Sequence, residues 1–372
     1  MRAMSLVVAD RFRRFVLPGL AFKAVVIGGG YATGRELAEF FLPAGPWGGL
    51  FAMLLATVIW GVVAAATFRF AYLVGARDYR TFFRALLGRG WPLFEAAYAL
   101  FIVVILAVFG AAAGAIGAAT LGLPPIAGTV ALMAGITACV AFGNAGVERV
   151  FVWVSVLLYA TYAVFLVLAL TEVGPRMAES FGSAGAATGS GWVLGGVTYA
   201  GYNIVGAVIV LPVARHFRSE RDAVIAGAIA APLAMLPALL FFVSMTAFLP
   251  AIADAVLPSD YILTRLGHPF FHVAFQVMIF AALLESGTGA VHAINERVAH
   301  AGRLTLRPAT RALLALALLL PCMLLAERVG LVGLIASGYR ALAWLLIAIY
   351  VLPLLLATLF ARTGVPQAEP TT

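Results

Sequence analysis

Long apolar stretches, separated by short joints rich in Gly, Pro and Arg, dominate this chain. A helix that crosses a bilayer needs roughly 20 predominantly apolar residues, and by that measure the pattern predicts about ten spans. They cover residues 16–42, 47–75, 91–121, 124–143, 150–171, 190–213, 223–249, 268–294, 308–326 and 330–361. Pro43, Pro46, Pro92, Pro124, Pro125, Pro250, Pro258, Pro269 and Pro308 mark the joints. No run alternates with the period of two that a membrane barrel requires, so every span is read as a helix. The expected architecture is an all-α polytopic membrane protein. It has an N-terminal segment 1–15, a single transmembrane domain 16–361 and a tail 362–372.

Composition agrees: 63% of residues are hydrophobic and 11% charged, where soluble domains carry roughly 25% charged residues. The net charge of +8 sits in short loops, which indicates topology rather than nucleic-acid binding. With the N-terminus inside, 18 of the 24 basic residues fall in inner segments, Arg77, Arg80, Arg84 and Arg89 among them. Arg176, Arg265 and Arg328 fall outside, and Lys23, Arg35 and Arg340 lie within spans. That bias places both termini in the cytoplasm and the chain in the cell (inner) membrane. Cys139 and Cys322 lie in apolar spans and read as packing residues. There is no P-loop, HExxH or CxxC, so enzyme and cofactor chemistry is not expected.

The first span departs from an ordinary anchor. It contains Gly28-Gly29-Gly30-Tyr31-Ala32-Thr33-Gly34-Arg35-Glu36. Glycine is a poor helix residue, and a charge at membrane depth costs several kcal/mol. Non-helical backbone at that depth survives only where protein or a water-filled cavity surrounds it. The second half of the chain carries a related interruption in its sixth span, Gly195-Gly196-Val197-Thr198-Tyr199-Ala200-Gly201-Tyr202-Asn203. Matched Gly/Pro interruptions in two halves point to a transporter binding site. With five spans per half (16–171 and 190–361) and a loop at 172–189 between them, the halves are inverted in the membrane.

Half-helix ends at such a break offer amides to an anion and carbonyls to a cation, a fit for a zwitterion. The candidate substrate-binding residues are Gly28, Gly29, Gly30, Tyr31, Ala32, Thr33, Gly34, Glu36, Tyr199, Gly201, Tyr202 and Asn203. Small-residue packing between helices explains the glycines equally well, but not Arg35 and Glu36. Glu39 and Lys23 read as residues near the two surfaces. In the eighth span, Glu285, Thr288, His292 and Asn295 recur at helical spacing on one face. Glu285, Ser286, Thr288 and Glu36 are the candidates for ion or proton coupling, with Ser286 and Thr288 as hydroxyl donors for Na⁺. His292, Asn295, Glu296 and Arg297 read as inner-surface or gate residues. Tyr159, Thr161 and Tyr162 read as packing, and Arg340 as paired with an acid or lining a vestibule.

These motifs, together with Gly287-Thr288-Gly289 and Asn295-Glu296-Arg297, resemble the YkvI-like membrane proteins of the amino acid–polyamine–organocation (LeuT-fold) superfamily. The resemblance covers essentially the whole chain. It implies a five-plus-five inverted repeat with broken helices 1 and 6 around a central site and spans 3 and 8 as walls. It also implies a Na⁺ site between the first break and Ser286 or Thr288. The family pattern has a neutral residue where Arg35 stands, and no Lys occurs in span 5, where some proton-coupled relatives carry one. The expected function is ion-coupled secondary transport of a small amino acid or related amine. The alternative is a sensor or assembly factor that kept the fold without transport. The partners expected are a small-molecule substrate and the lipid bilayer, with no nucleic acid. Oligomeric state and the direction of transport are not legible.

Overall fold

In a bilayer every backbone N–H and C=O must be satisfied within the protein, which leaves helices as the solution for an apolar chain of this pattern. The computed structural model describes residues 10–26, 33–141, 144–184, 190–302 and 307–360, and no strand occurs among them. The helices are α1 (Leu17–Val26), α2 (Arg35–Phe40), α3 (Gly45–Leu73), α4 (Tyr79–Leu87), α5 (Trp91–Leu121), α6 (Pro125–Ala141) and α7 (Asn144–Ser183). They continue as α8 (Trp192–Asn203), α9 (Val205–Ile209), α10 (Glu220–Thr246), α11 (Pro258–Leu266), α12 (Pro269–Gly302), α13 (Pro308–Gly333), α14 (Arg340–Leu346) and α15 (Leu352–Phe360). Six helical stretches among the described residues are long and apolar enough to cross a membrane: 35–73, 79–121, 192–209, 220–246, 269–299 and 308–359.

The helices fall into two packing groups. In one, α10 lies along α3 and α1, while α8 lies along α3 and α2. In the other, α5, α6, α12 and α13 pack on one another, with α7 against α12. Three helices of the first half thus meet two of the second in each group. The arginine-rich loops gather at one end of the bundle, where Arg14 reaches Asp222, Arg69 reaches Glu220 and Arg311 reaches Glu296. The opposite end carries Glu39, Glu172 and Asp260.

Two expectations need correction, and one segment gains definition. The region 172–189 is not a loop up to Ser183: α7 runs on through it. Buried Val173 and Met177 and the Trp47 indole, which donates to the Phe181 carbonyl at 3.1 Å, hold that extension down. The segment before residue 16 is already helical from Asp10, anchored by Arg14 to Asp10 at 2.6 Å and by Arg218 to Asp10 at 2.5 Å. The sixth span is helical through Gly195, Gly196 and Gly201, and its interruption falls later, at Ile204 between α8 and α9.

Those glycines serve contact instead. A Cβ on Gly196 would stand 2.6 Å from the Ala52 carbonyl oxygen of α3, and one on Gly195 would strike the Phe40 carbonyl of α2. Gly201 meets Ala343 of α14 and Ile347 just beyond it. Gly196→Val therefore forces two backbones apart and is expected to destabilise the protein by about 2 kcal/mol or more. Gly182→Ala, at a helical position with nothing within 4 Å of a new Cβ, is expected to be neutral or stabilising by up to ~1 kcal/mol. Thermal unfolding of the two variants in detergent, side by side, checks this pair.

Candidate functional site

The restart of the first span is defined by Gly34, whose φ of 78° is left-handed and which a side chain could not adopt without strain. The Thr33 hydroxyl accepts from the Arg35 amide at 3.3 Å, and the Thr33 carbonyl accepts from the Ser259 amide at 3.0 Å. Thr33 is thus fully buried and committed to the fold. Gly28, Gly29, Gly30, Tyr31 and Ala32 lie outside the described residues.

Arg35 and Glu36 are neighbours that serve different places. Arg35 points to the end of the bundle opposite the arginine-rich loops. Its Nη1 donates to the carbonyls of Ala253 at 2.9 Å and Ala255 at 3.0 Å, and its Nη2 donates to Glu39 at 3.0 Å. Arg340 reaches the other Glu39 oxygen at 3.7 Å, which supplies the acid partner that the sequence left unnamed. The buried Arg35 and the exposed Arg340 hold Glu39 between them and link α2 to the 251–255 turn and to α14.

Glu36 turns inward. It is 4% exposed and accepts a hydrogen bond from the Tyr202 hydroxyl of α8. Among the described residues no Arg, Lys or His pairs with it. Glu36, Tyr202 and Asn203 line a cavity of ≈ 20 Å³ with Val25, Val26, Phe101, Ile105, Phe109, Val205 and Tyr339. That is room for about one water. The Tyr339 ring sits 4.4 Å from that of Tyr202. Asn203 spends its amide N–H on the Tyr199 carbonyl at 3.1 Å.

Tyr199 stands behind this wall. Its ring packs on Phe41 at 4.7 Å and on Trp60 at 5.4 Å, and its buried hydroxyl has no hydrogen-bond partner. Sequence reasoning missed Phe101, Ile105, Phe109 and Tyr339. The first three recur every fourth residue on α5, a signal hidden because the whole span is apolar. The α12 candidates do not line this cavity. Glu285 and Ser286 are half-buried, and Thr288 is fully buried with a hydroxyl that makes no hydrogen bond. Asn295 donates to the Arg311 carbonyl at 3.0 Å, so it belongs to the arginine-rich end.

The ionic contacts are distributed unequally. At the arginine-rich end, the ion pairs among the described residues stay within a packing group or run through the adjoining α4 helix: Arg14–Asp222 and Arg69–Glu220 in one, Arg297–Glu95 and Arg311–Glu296 in the other. At the opposite end Arg35 of α2 reaches the 251–255 turn, Arg340 of α14 reaches Glu39 of α2, and Asp260 of α11 accepts from Gln276 of α12 at 2.9 Å.

This arrangement is a LeuT fold. The chain resembles the structure of MhsT in complex with L-phenylalanine at 16% identity and TM-score 0.63, covering 94% of this chain and 89% of that one. It resembles the Eremococcus coleocola manganese transporter at 17% identity and TM-score 0.61, covering 98% and 83%. It also resembles a Na⁺-coupled sialic acid symporter at 13% identity and TM-score 0.54, covering 93% and 86%. No protein-family model matches the sequence, and no curated protein matches it either.

Two outcomes follow from the geometry. Tyr202→Phe leaves Glu36 without its donor, and an unsatisfied buried acceptor costs about 1–3 kcal/mol, read as a lower unfolding temperature. Arg35→Ala frees the 251–255 turn, so amide hydrogen exchange there is expected to rise while exchange around Asp222 stays unchanged. Arg35→Lys restores only part of the protection, because one ammonium cannot reproduce the forked geometry.

Proposed function

We propose that this protein is an ion-coupled secondary transporter of a small amino acid or related amine, working by alternating access. The observation that carries the proposal is Glu36: a carboxylate buried at a helix break, facing a central cavity and bonded only to a neutral hydroxyl among the described residues. Burying a carboxylate without a cation is costly, so the site is built to receive a positive charge or a proton. A cargo ammonium would take the place of the Tyr202 hydroxyl, with the aromatic rings of Tyr339, Phe101 and Phe109 around its apolar part. Because the cavity holds about one water, entry requires the α5 wall to part from α2 and α8.

The pairing of helices supports a five-plus-five inverted repeat of ten spans, since α1 with α10 and α8 with α3 are matched contacts, as are α5 with α13 and α12 with α6. The motif resemblance favours the YkvI-like group within the superfamily. The arginine distribution favours the arginine-rich end as cytoplasmic in the cell membrane. For coupling, the orphaned Thr288 hydroxyl and Ser286 suit Na⁺, and the titrating groups that suit H⁺ are Glu36 and Glu285. The Na⁺ assignment is helped by a sodium-coupled structural neighbour.

Uptake of radiolabelled amino acids and amines into proteoliposomes, under an imposed Na⁺ or H⁺ gradient, tests this. A cargo is expected to accumulate under one of the two gradients, and Glu36→Gln is expected to lose at least tenfold of that flux while remaining folded. Thr288→Val is expected to raise the Na⁺ concentration needed for half-maximal uptake, and Glu285→Gln to flatten the pH dependence if protons drive it. Thermal stabilisation by a cargo that is never moved under either gradient would instead favour a sensor.

A further inference from the structure

The short helix α4 joins the arginine-rich ends of α3 and α5. Asp78 caps it, accepting from the Thr81 amide at 2.9 Å. Its apolar side is fully buried: Phe82 and Phe83 are 0% exposed, and Phe83 stacks on Phe94 and meets Tyr350 edge-on at 5.4 Å. The other side is a row of exposed arginines, Arg77, Arg80 and Arg84, followed by Arg89.

Arg80 is engaged, donating to the Tyr79 hydroxyl at 2.9 Å and lying 3.5 Å from Glu95. Arg77, Arg84 and Arg89 have no carboxylate partner among the described residues. The Arg84 guanidinium lies flat over Trp91 at 4.8 Å. Beside the patch, Leu73 and Leu93 are 50% and 65% exposed. Large apolar side chains left open at the ends of two spanning helices mark acyl-chain depth, so the arginine row stands at headgroup level. Tryptophan next to it fits the same interface.

We propose that Arg77, Arg84 and Arg89 form a binding site for the phosphate of an anionic phospholipid headgroup. Guanidinium forks match phosphate oxygens in pairs, and the neighbouring leucines take the acyl chains of the same lipid. The flanking apolar side chains favour a lipid over a free phosphate or an acidic protein segment, because neither of those needs an apolar rim. The site lies next to a clamp in which Arg297 of α12 sits 4.5 Å from the Tyr79 ring and 4.6 Å from the Tyr98 ring, so an occupied site would steady that clamp at the start of α4.

The test uses the full chain in nanodiscs of phosphatidylcholine with increasing phosphatidylglycerol. The wild type is expected to gain thermal stability as phosphatidylglycerol is added. The triple variant Arg77→Gln, Arg84→Gln, Arg89→Gln is expected to need at least roughly tenfold more of it for the same gain, given the contribution of each arginine near an anionic surface. A control triple, Arg11→Gln, Arg13→Gln, Arg215→Gln, keeps the wild-type response if the site is local. Equal responses from both triples, or an undiminished response in the patch variant, would overturn the proposal. So would reproduction of the wild-type gain by soluble glycerol phosphate. Single Arg84→Gln and Arg89→Gln variants, each with a smaller weakening, serve if the triple does not fold.

Discussion

A carboxylate in the middle of a membrane bundle must be answered by something, and in this protein the answer within the described residues is a single phenol. Glu36 has the Tyr202 hydroxyl and no basic partner. Much of the surrounding structure serves to keep that arrangement. Left-handed Gly34 turns the chain so that α2 restarts with Glu36 facing inward. Phe40, Phe41, Trp60 and Tyr199 lock α2, α3 and α8 into one unit around it. A fold that keeps a carboxyl without a basic partner at that depth forgoes stability, and the most economical reason is that a cation or proton completes the site.

The second organising feature is the placement of ionic contacts relative to the two helix groups. Arg35 stands next to Glu36 in the chain without pairing with it. Its guanidinium is instead directed away, to two backbone carbonyls and Glu39. At that end Arg35 and Arg340 tie α2 to the 251–255 turn and to α14, while the ion pairs at the arginine-rich end stay within a helix group or pass through α4. Small local changes at Glu36 are then positioned to act on α2, which carries both the site and the fastening.

Much of this was legible in the residues, because the strongest signals in a membrane chain are physical necessities. Apolar length set the helices, the arginine bias set which loops share an end, and an ionisable residue beside glycines marked the break. What the residues did not show depends on tertiary contact. Gly195, Gly196 and Gly201 looked like a second unwound stretch, yet they are the places where α8 touches α2, α3 and α14. A small residue allows both outcomes, and only the neighbour decides. The α7 extension through 172–183 was hidden by its Gly, Ser and Ala content, although Trp47 holds it. Phe101, Ile105 and Phe109 were invisible because, in a uniformly apolar helix, no periodicity separates the cavity face from the lipid face.

The central claim is that the Glu36 cavity is reached from one side of the membrane at a time, with Arg35 holding the far side shut. A single cysteine at Ile105, on the cavity wall, reports this directly when Cys139 and Cys322 are replaced by Ala and impermeant thiol reagents are applied from each side of sealed vesicles. The account predicts labelling from the arginine-rich side with Arg35 in place, and a gain of labelling from the opposite side in Arg35→Ala. An Arg35→Ala variant whose ratio of labelling from the two sides equals that of the wild type would contradict it.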